Sequence, residues 1–574
     1  MPAPSPKWIE QRLNRSLAQL REGRLFKAQR TVDEVLERVP EQVDALRLAG
    51  DIARADGRLE RALELYVAAA RQEPSHLKTL DAITNVAAAL DLTGKAIQAL
   101  ELAVIADPSD GARQRRLGGG YFLAGKLHDA LGHARLATML SPDDVLAHEL
   151  QGTCLIHLDD TVAALQALRR AVELGPDDAS VLVNTAIALD DLGQTDEARD
   201  LRVRASELAP AEPYVAFNTK DLSVASADDP RLEALEQRLE DPMLAVEDRV
   251  LGGLALAKLW DDAGDTGRAA RHLRSANDLR HAQLERRGTA YDARSTTAGS
   301  EAVRGGFSAQ VLGRARELPA SPVPIVLVGL PRAGKTLLEA RLCEDPSLVA
   351  LGERPVHREL QAAVEKHTGA ELPGRLEQLS DADLREVADT LLAYLRQVPG
   401  ATDATGLVTT SPANLTAAGL YALVDERTVV VHCRRDPRDV LLANYLQWFP
   451  NQNPWAYTVD GLVHRCGIVD TLADHWRSLL GARFVTVDYE QLVTEPAAVL
   501  AAVRLTAGLP ARTSAVPVDH VARVATSPTA KPDPQAPLHR AHVGMWRRWQ
   551  PHLPELFDAI EQAGLVDTGT DLAG

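Results

Sequence analysis

Proline returns at Pro40, Pro74, Pro108, Pro142, Pro176 and Pro210, always 34 residues apart, and alanine keeps the same step at Ala28, Ala62, Ala96, Ala130, Ala164 and Ala198. A period of this length is too long for one regular element, but fits two short helices and their turns. The residue five places before each alanine is Gly23, Gly57, Asp91, Gly125, Asp159 or Gly193. Both residue types suit a tight turn between helices. The small alanine lets two helices approach closely. The proline cannot continue a helix, so it closes one unit and opens the next. Six units in register over the first 210 residues predict a stack of helical hairpins.

A 34-residue helix-turn-helix period resembles the tetratricopeptide (TPR) repeat. The resemblance implies an all-α solenoid over residues 1–215 and a concave face on which a protein or peptide ligand docks. A scaffold or dimerisation arm without its own ligand is the other reading. A capping helix is expected around Trp8–Leu20. Residues 216–315 read as a helical linker. In it Asp228-Asp229-Pro230 starts a helix, Asp241-Pro242 interrupts it, and Leu251–His281 repeats the hairpin pattern with a turn at Ala263–Gly267. The polar stretch Arg294–Ser300 reads as a hinge, and Pro319, Pro322 and Pro324 mark the entry to a third segment, 316–574.

Aromatic residues make up only 4% of the chain while alanine and leucine abound, which favours helix. The formal net charge is -17 and no long basic stripe is present, so nucleic acid is not an expected partner. The four cysteines, Cys154, Cys343, Cys433 and Cys466, form no Cys-x-x-Cys pair. Neither a zinc site nor a disulfide framework is expected, and reduced thiols fit a cytoplasmic protein. The start, Met1–Lys7, lacks an apolar signal-peptide core, and no apolar run approaches the ~20 residues that span a bilayer.

The third segment opens with strand-like Ile325–Val328, which runs into Gly329-Leu330-Pro331-Arg332-Ala333-Gly334-Lys335-Thr336 and then helix-like sequence. Strand, glycine-bounded basic loop and helix form an arrangement that holds phosphate: backbone N–H groups turn inward, and Arg332 and Lys335 add full charges. The Gly-x4-Gly-Lys-Thr spacing also fits the P-loop of ATP- and GTP-binding proteins. Helix patterns follow at Thr336–Cys343, Pro355–Lys366 and Asp381–Leu395, the last with Ser380 placed as N-cap. Further strands are expected at Arg427–Cys433 and Arg483–Tyr489. Strands separated by helices predict a parallel α/β sheet with its ligand at the carboxyl ends of the strands.

Residues 323–565 resemble the sulfotransferase domain found behind TPR arrays in bacterial proteins. Pro331–Thr336 is similar to that family's Pro-Arg-Ser-Gly-Thr-Thr loop, Leu351-Gly352-Glu353 to its Gly-Glu, and His432–Pro437 to its segment with a phosphate-binding arginine. Val487–Val493 matches its Tyr-Glu-x-Leu segment, and Val543–Trp549 its C-terminal Gly-x-Trp-Arg segment. The resemblance implies 3'-phosphoadenosine 5'-phosphosulfate (PAPS) as donor, a hydroxyl-bearing acceptor and no metal. It implies that Arg332, Ala333, Gly334, Lys335 and Thr336 hold the 5'-phosphosulfate and that Arg435 holds the 3'-phosphate. Tyr489 and Gly544 fall in the remaining donor-binding segments. Glu353 is the implied base for the acceptor hydroxyl, and Arg332 and Lys335 the cations that stabilise the leaving phosphate.

The chain departs from the family at four of these positions. Ala333 stands for the loop serine, Lys335 for its first threonine, Thr410 for a lysine, and Ala443 for a serine eight residues after Arg435. Asn444 beside Ala443 is expected to offer an amide to the phosphate instead, and Lys335 to resupply the cation lost at Thr410. Arg434 and Arg438 read as surface or salt-bridge residues, and His357, His432, Trp546 and Trp549 as packing residues. Two other functions stay open on these residues: a TPR adaptor whose transferase domain has lost activity, and an ATP- or GTP-binding P-loop protein. The latter needs an acidic residue at a neighbouring strand end to hold magnesium, whereas Thr428–Cys433 runs into Arg434.

Overall fold

The computed structural model describes residues 4–566 except for 159, 221, 223–225, 242–243, 319–320, 451–452 and 511–541. Asp159, Pro242 and Pro319 therefore lie outside the described residues. The chain divides into two compact units, Met1–Ala263 and Gly264–Gly574.

Among the described residues the first unit contains helices and turns and no strand. Six antiparallel helix pairs run from Pro6–Arg21 with Leu25–Leu36 to Ala179–Asp191 with Thr195–Leu208, and each pair packs on the next. Pro6–Arg21, expected as a cap, is the first helix of the first pair. The repeat alanines are all buried. At the turn position Gly23, Gly57, Gly125 and Gly193 take left-handed backbone with φ between 71° and 77°, and Asp91 does so at 60°. A second small-residue register lies on the first helix of each pair, at Ser16, Gly50, Thr84, Gly118, Gly152 and Ala186, all buried. A side chain at Gly50 would press into Tyr66 at 2.6 Å, and one at Gly152 would strike Leu168. Shorter helices, Pro213–Thr219 and Pro230–Leu239, lead to Val246–Asp262, and Asp229 caps the second of them.

The second unit opens with the long helix Thr266–Arg286. Its fully buried Asn277 donates to the Tyr445 carbonyl at 2.9 Å, and its buried Arg280 stacks 4.5 Å over Trp448. The expected hinge at Arg294–Ser300 is instead part of a continuous helix, Ala293–Gly306. Asp292 caps it, and the hydroxyls of Thr296 and Thr297 bond back to the carbonyls of Asp292 and Ala293, so polar residues do not break the helix.

Five parallel strands form one sheet in the order β2-β3-β1-β4-β5: Val323–Val328, Leu348–Gly352, Gly406–Thr409, Val429–Arg434 and Phe484–Asp488, numbered β1 to β5 along the chain. Every residue of β1 is buried, as expected of a central strand covered on both faces. The order reverses direction around β1, so its carboxyl end opens between two diverging loops. β2 and β3 add to the three strands expected from sequence; at five and four residues they are too short to show a pattern. Among the described residues no helix is long and apolar enough to cross a membrane.

Candidate active site

The loop after β1 carries three left-handed positions in six residues, Gly329 (φ 132°), Arg332 (66°) and Gly334 (95°). For an arginine this conformation costs about 1 kcal/mol or more and persists only where surrounding contacts hold it. Neither glycine could carry a side chain. A Cβ at Gly329 would strike the Cys433 carbonyl, and one at Gly334 would lie 2.8 Å from the Tyr489 ring. The loop delivers the helix Lys335–Leu342 with no side-chain cap, and its first intrahelical bond runs from Leu338 N–H to the Gly334 carbonyl. The preceding N–H groups of Lys335, Thr336 and Leu337 precede that bond, the usual situation of donors at a helix start.

Lys335 folds back over the loop, and its Nζ donates to the carbonyls of Gly329 (2.9 Å) and Leu330 (2.8 Å). Burial lowers its ammonium pKa to about 8; the charge of Arg465 acts in the same direction, while Cys433 and Glu353 oppose it. Thr336 is half-buried, Ala333 buried and Arg332 exposed.

Arg435, just beyond β4, is 7% exposed. Its guanidinium donates to the carbonyls of Arg332 and His542 and stacks 4.7 Å over Tyr489, while its Nε is buried without a partner. It thus joins the phosphate-type loop, the C-terminal segment and the residue after β5. Arg434 pairs with Asp488 at 2.7 Å. Arg438 pairs with Asp436 and stacks 3.8 Å over Trp546. Both therefore have the salt-bridge roles read from sequence. Burial lowers the His432 imidazole to about 4, so it is a neutral packing group, and Trp546 and Trp549 are buried. Burial also lowers His357, which lies at a marginal 3.5 Å from the Ser411 hydroxyl.

Two expected ligand groups have other work. Asn444 is fully buried, and its amide nitrogen donates to the Pro331 carbonyl (2.9 Å) and the Val440 carbonyl (2.7 Å). Both amide hydrogens are engaged, so Asn444 braces the loop instead of donating to a phosphate. The Gly544 N–H donates to the buried Asp439 carboxylate at 2.6 Å, as does Trp546 N–H at 2.9 Å. Gly544 therefore shapes the wall and has no N–H left for a ligand. Tyr489 supports Gly334 and Arg435 through its ring.

Glu353 is exposed in the turn after β2. The buried Glu339 fixes that turn by accepting from Gly352 N–H at 2.9 Å, and Thr410 N–H donates to the Gly352 carbonyl at 2.8 Å. Thr410 is itself buried, and Asn414 binds the Leu327 and Thr409 carbonyls, tying the ends of β1 and β3 together. The structure thus gathers Glu353, Lys335 and the loop at one end of the sheet. Beside them lies a cavity of about 350 Å³, walled by Leu330, Ala333, Cys433, Arg435, Cys466 and Gly544 among others. Among the described residues no group of three or more His, Cys, Asp or Glu side chains could hold a metal ion.

Sequence reading missed Arg465. It sits within the 22-residue helix Val459–Leu480, far from any recognisable motif, and its charge acts on Lys335 only through the fold.

Comparison with known proteins agrees with this architecture. Residues 324–513 match the model of the Sulfotransferase family, and residues 13–76 and 116–179 match a Tetratricopeptide repeat model. A protein of Aquifex aeolicus (strain VF5), named only as uncharacterized, is 24% identical over 345 residues, which cover 58% of this chain and 44% of that protein. The chain thus matches less than half the length of that relative. Among solved structures, MamA of Desulfovibrio magneticus RS-1 is 22% identical over 29% of this chain and 94% of its own, with a TM-score of 0.27. YrrB, titled a TPR protein with an unusual peptide-binding site, is 20% identical over 33% and 97%, with a TM-score of 0.28. Pseudomonas aeruginosa pilF is 16% identical over 37% and 95%, with a TM-score of 0.31. The chain therefore joins a tetratricopeptide-repeat array to a sulfotransferase-family domain with a small parallel sheet.

Proposed function

We propose that the second unit transfers a sulfuryl group from PAPS to a hydroxyl acceptor. The observation that carries this reading is the pairing of Lys335 and Arg435 at one strained loop. Both cations are drawn inward and hydrogen-bonded only to backbone carbonyls. Arg435 also keeps a buried Nε without a partner. Among the described residues neither makes an ion pair with a carboxylate, and a buried cation left so is costly unless an anion completes it. An anion with two phosphate-like ends fits: one over the helix start at Lys335, the other at Arg435.

When bound, the donor supplies an activated sulfuryl group. Lys335, Arg332 and the first-turn N–H groups would hold the leaving phosphate and stabilise its growing charge. Glu353 would accept the acceptor's hydroxyl proton. The domain limits that accompany this reading are 1–215 for the array, 216–315 for the linker and 316–574 for the transferase. The TPR repeats support docking of a protein or peptide, so a protein-borne or carrier-borne acceptor fits best. Four buried cysteines, all free, support a reducing, cytoplasmic setting.

An ATP- or GTP-binding reading is weaker. The strands that flank β1 end in Thr409-Thr410 and Arg434-Arg435, and neither offers a carboxylate for magnesium. The test is transfer of label from sulfur-labelled PAPS to acceptors in fractionated extract. Glu353→Gln should lower transfer by about 100-fold or more, as loss of a general base does, while affinity for adenosine 3',5'-bisphosphate stays within twofold. Unchanged transfer in Glu353→Gln would remove Glu353 from the mechanism. No transfer by the wild-type protein, with the bisphosphate still bound, would favour the adaptor.

A further inference from the structure

We infer that Arg465 is a third cation of the donor site and acts at the same end as Lys335, where Thr410 carries no charge. This rests on the PAPS reading above and adds a residue that no motif supplies.

Three observations meet at this side chain. Arg465 is half-buried, its Nε is buried without a partner, and among the described residues it makes no hydrogen bond or ion pair. A guanidinium presents five donors, and the buried Nε is one that no acceptor here satisfies. Its neighbour Cys466 lines the cavity whose wall also includes Leu330 and Ala333, so this turn of the helix abuts the loop. The same turn is held in place by His464, whose two ring nitrogens lie 2.9 Å from the Tyr291 hydroxyl and 3.0 Å from the Thr297 hydroxyl.

The electrostatics agree with the geometry. The charge of Arg465 acts in the same direction as burial in lowering the Lys335 ammonium, while Cys433 and Glu353 oppose it. Burial likewise lowers Arg465 itself, with Tyr291 opposing. Two partly buried cations repel each other, and an anion between them would relieve that repulsion. The family lysine missing at Thr410 leaves a place for such a charge, and Arg465 reaches the site from a different element. A planar guanidinium can also bind two oxygens of one tetrahedral group, which a lysine cannot.

The test is calorimetric titration of the full chain with adenosine 3',5'-bisphosphate and with adenosine 3'-monophosphate. Arg465→Met should weaken the bisphosphate by about 10- to 100-fold, the usual effect of losing a charge-assisted contact, and leave the 3'-monophosphate within twofold. Arg465→Lys should recover part of the loss, which separates a charge role from a packing role. Lys335→Met is the positive control for the same end. If Lys335→Met weakens the bisphosphate and Arg465→Met does not, the inference fails while the donor reading stands. If the wild-type chain does not bind the bisphosphate, the donor reading fails and this inference with it.

Discussion

At the residue scale, Lys335 ties the sequence to the chemistry. Its presence in the loop was legible as an extra cation, but its state was not. Burial and the neighbouring Arg465 bring its ammonium to about 8, against 10.5 for an ordinary lysine. Between those values the unfolded chain binds the proton more tightly than the folded one, so this group's contribution to stability rises as pH climbs from about 8 toward 10.5. A bound anion favours the charged form, which gives the opposite sign for binding. Affinity for adenosine 3',5'-bisphosphate should fall as pH rises past 8, by up to about tenfold per unit once one proton must be taken up. Titration between pH 7 and 9.5 checks this. Lys335→Arg should flatten the profile, and an unchanged slope in that variant would place the titration elsewhere. Asn444 and Gly544 show the limit of a motif. Motif position brings Gly544 to the cavity wall and Asn444 beneath the loop, but whether a donor is free depends on hydrogen bonds made by distant residues such as Pro331 and Asp439.

At the scale of elements, the helical hairpins were the most legible part because a 34-residue period repeats one set of packing constraints six times. The small register at Gly50, Gly118 and Gly152 was missed because glycine, threonine, serine and alanine alternate there and share only their size. It gives a paired prediction. Gly152→Val should drive a branched side chain into Leu168 and lower stability by about 1–3 kcal/mol. Gly132→Ala, in the helix Leu127–Leu140 where an added methyl meets nothing within 4 Å, should raise stability by up to about 1 kcal/mol. Thermal melts of both variants check it, and equal effects would contradict the packing assigned here. The sequence misled at Arg294–Ser300 because threonine and serine read as loop formers, whereas Asp292 as a cap and back-bonded hydroxyls keep them helical. β2 and β3 escaped because strands of five and four residues carry too few alternations to stand out.

At the scale of the whole molecule, a chain of net charge -17 gathers inward-facing cations at one end of one sheet. The anion binding proposed there would be a local property set by fold, which overall composition does not reveal. The order of motifs made the transferase-type domain legible across roughly 240 residues. Arg465 was not legible, because its partner loop lies about 130 residues away and nothing near it signals phosphate. The central claim is that this site takes a bisphosphorylated adenosine without a metal. The most direct measurement is equilibrium binding of adenosine 3',5'-bisphosphate, ATP and GTP to the full chain, each with and without magnesium. The account predicts tight binding of the bisphosphate that is indifferent to magnesium and much weaker binding of the triphosphates. Magnesium-dependent binding of ATP or GTP in preference to the bisphosphate would contradict it.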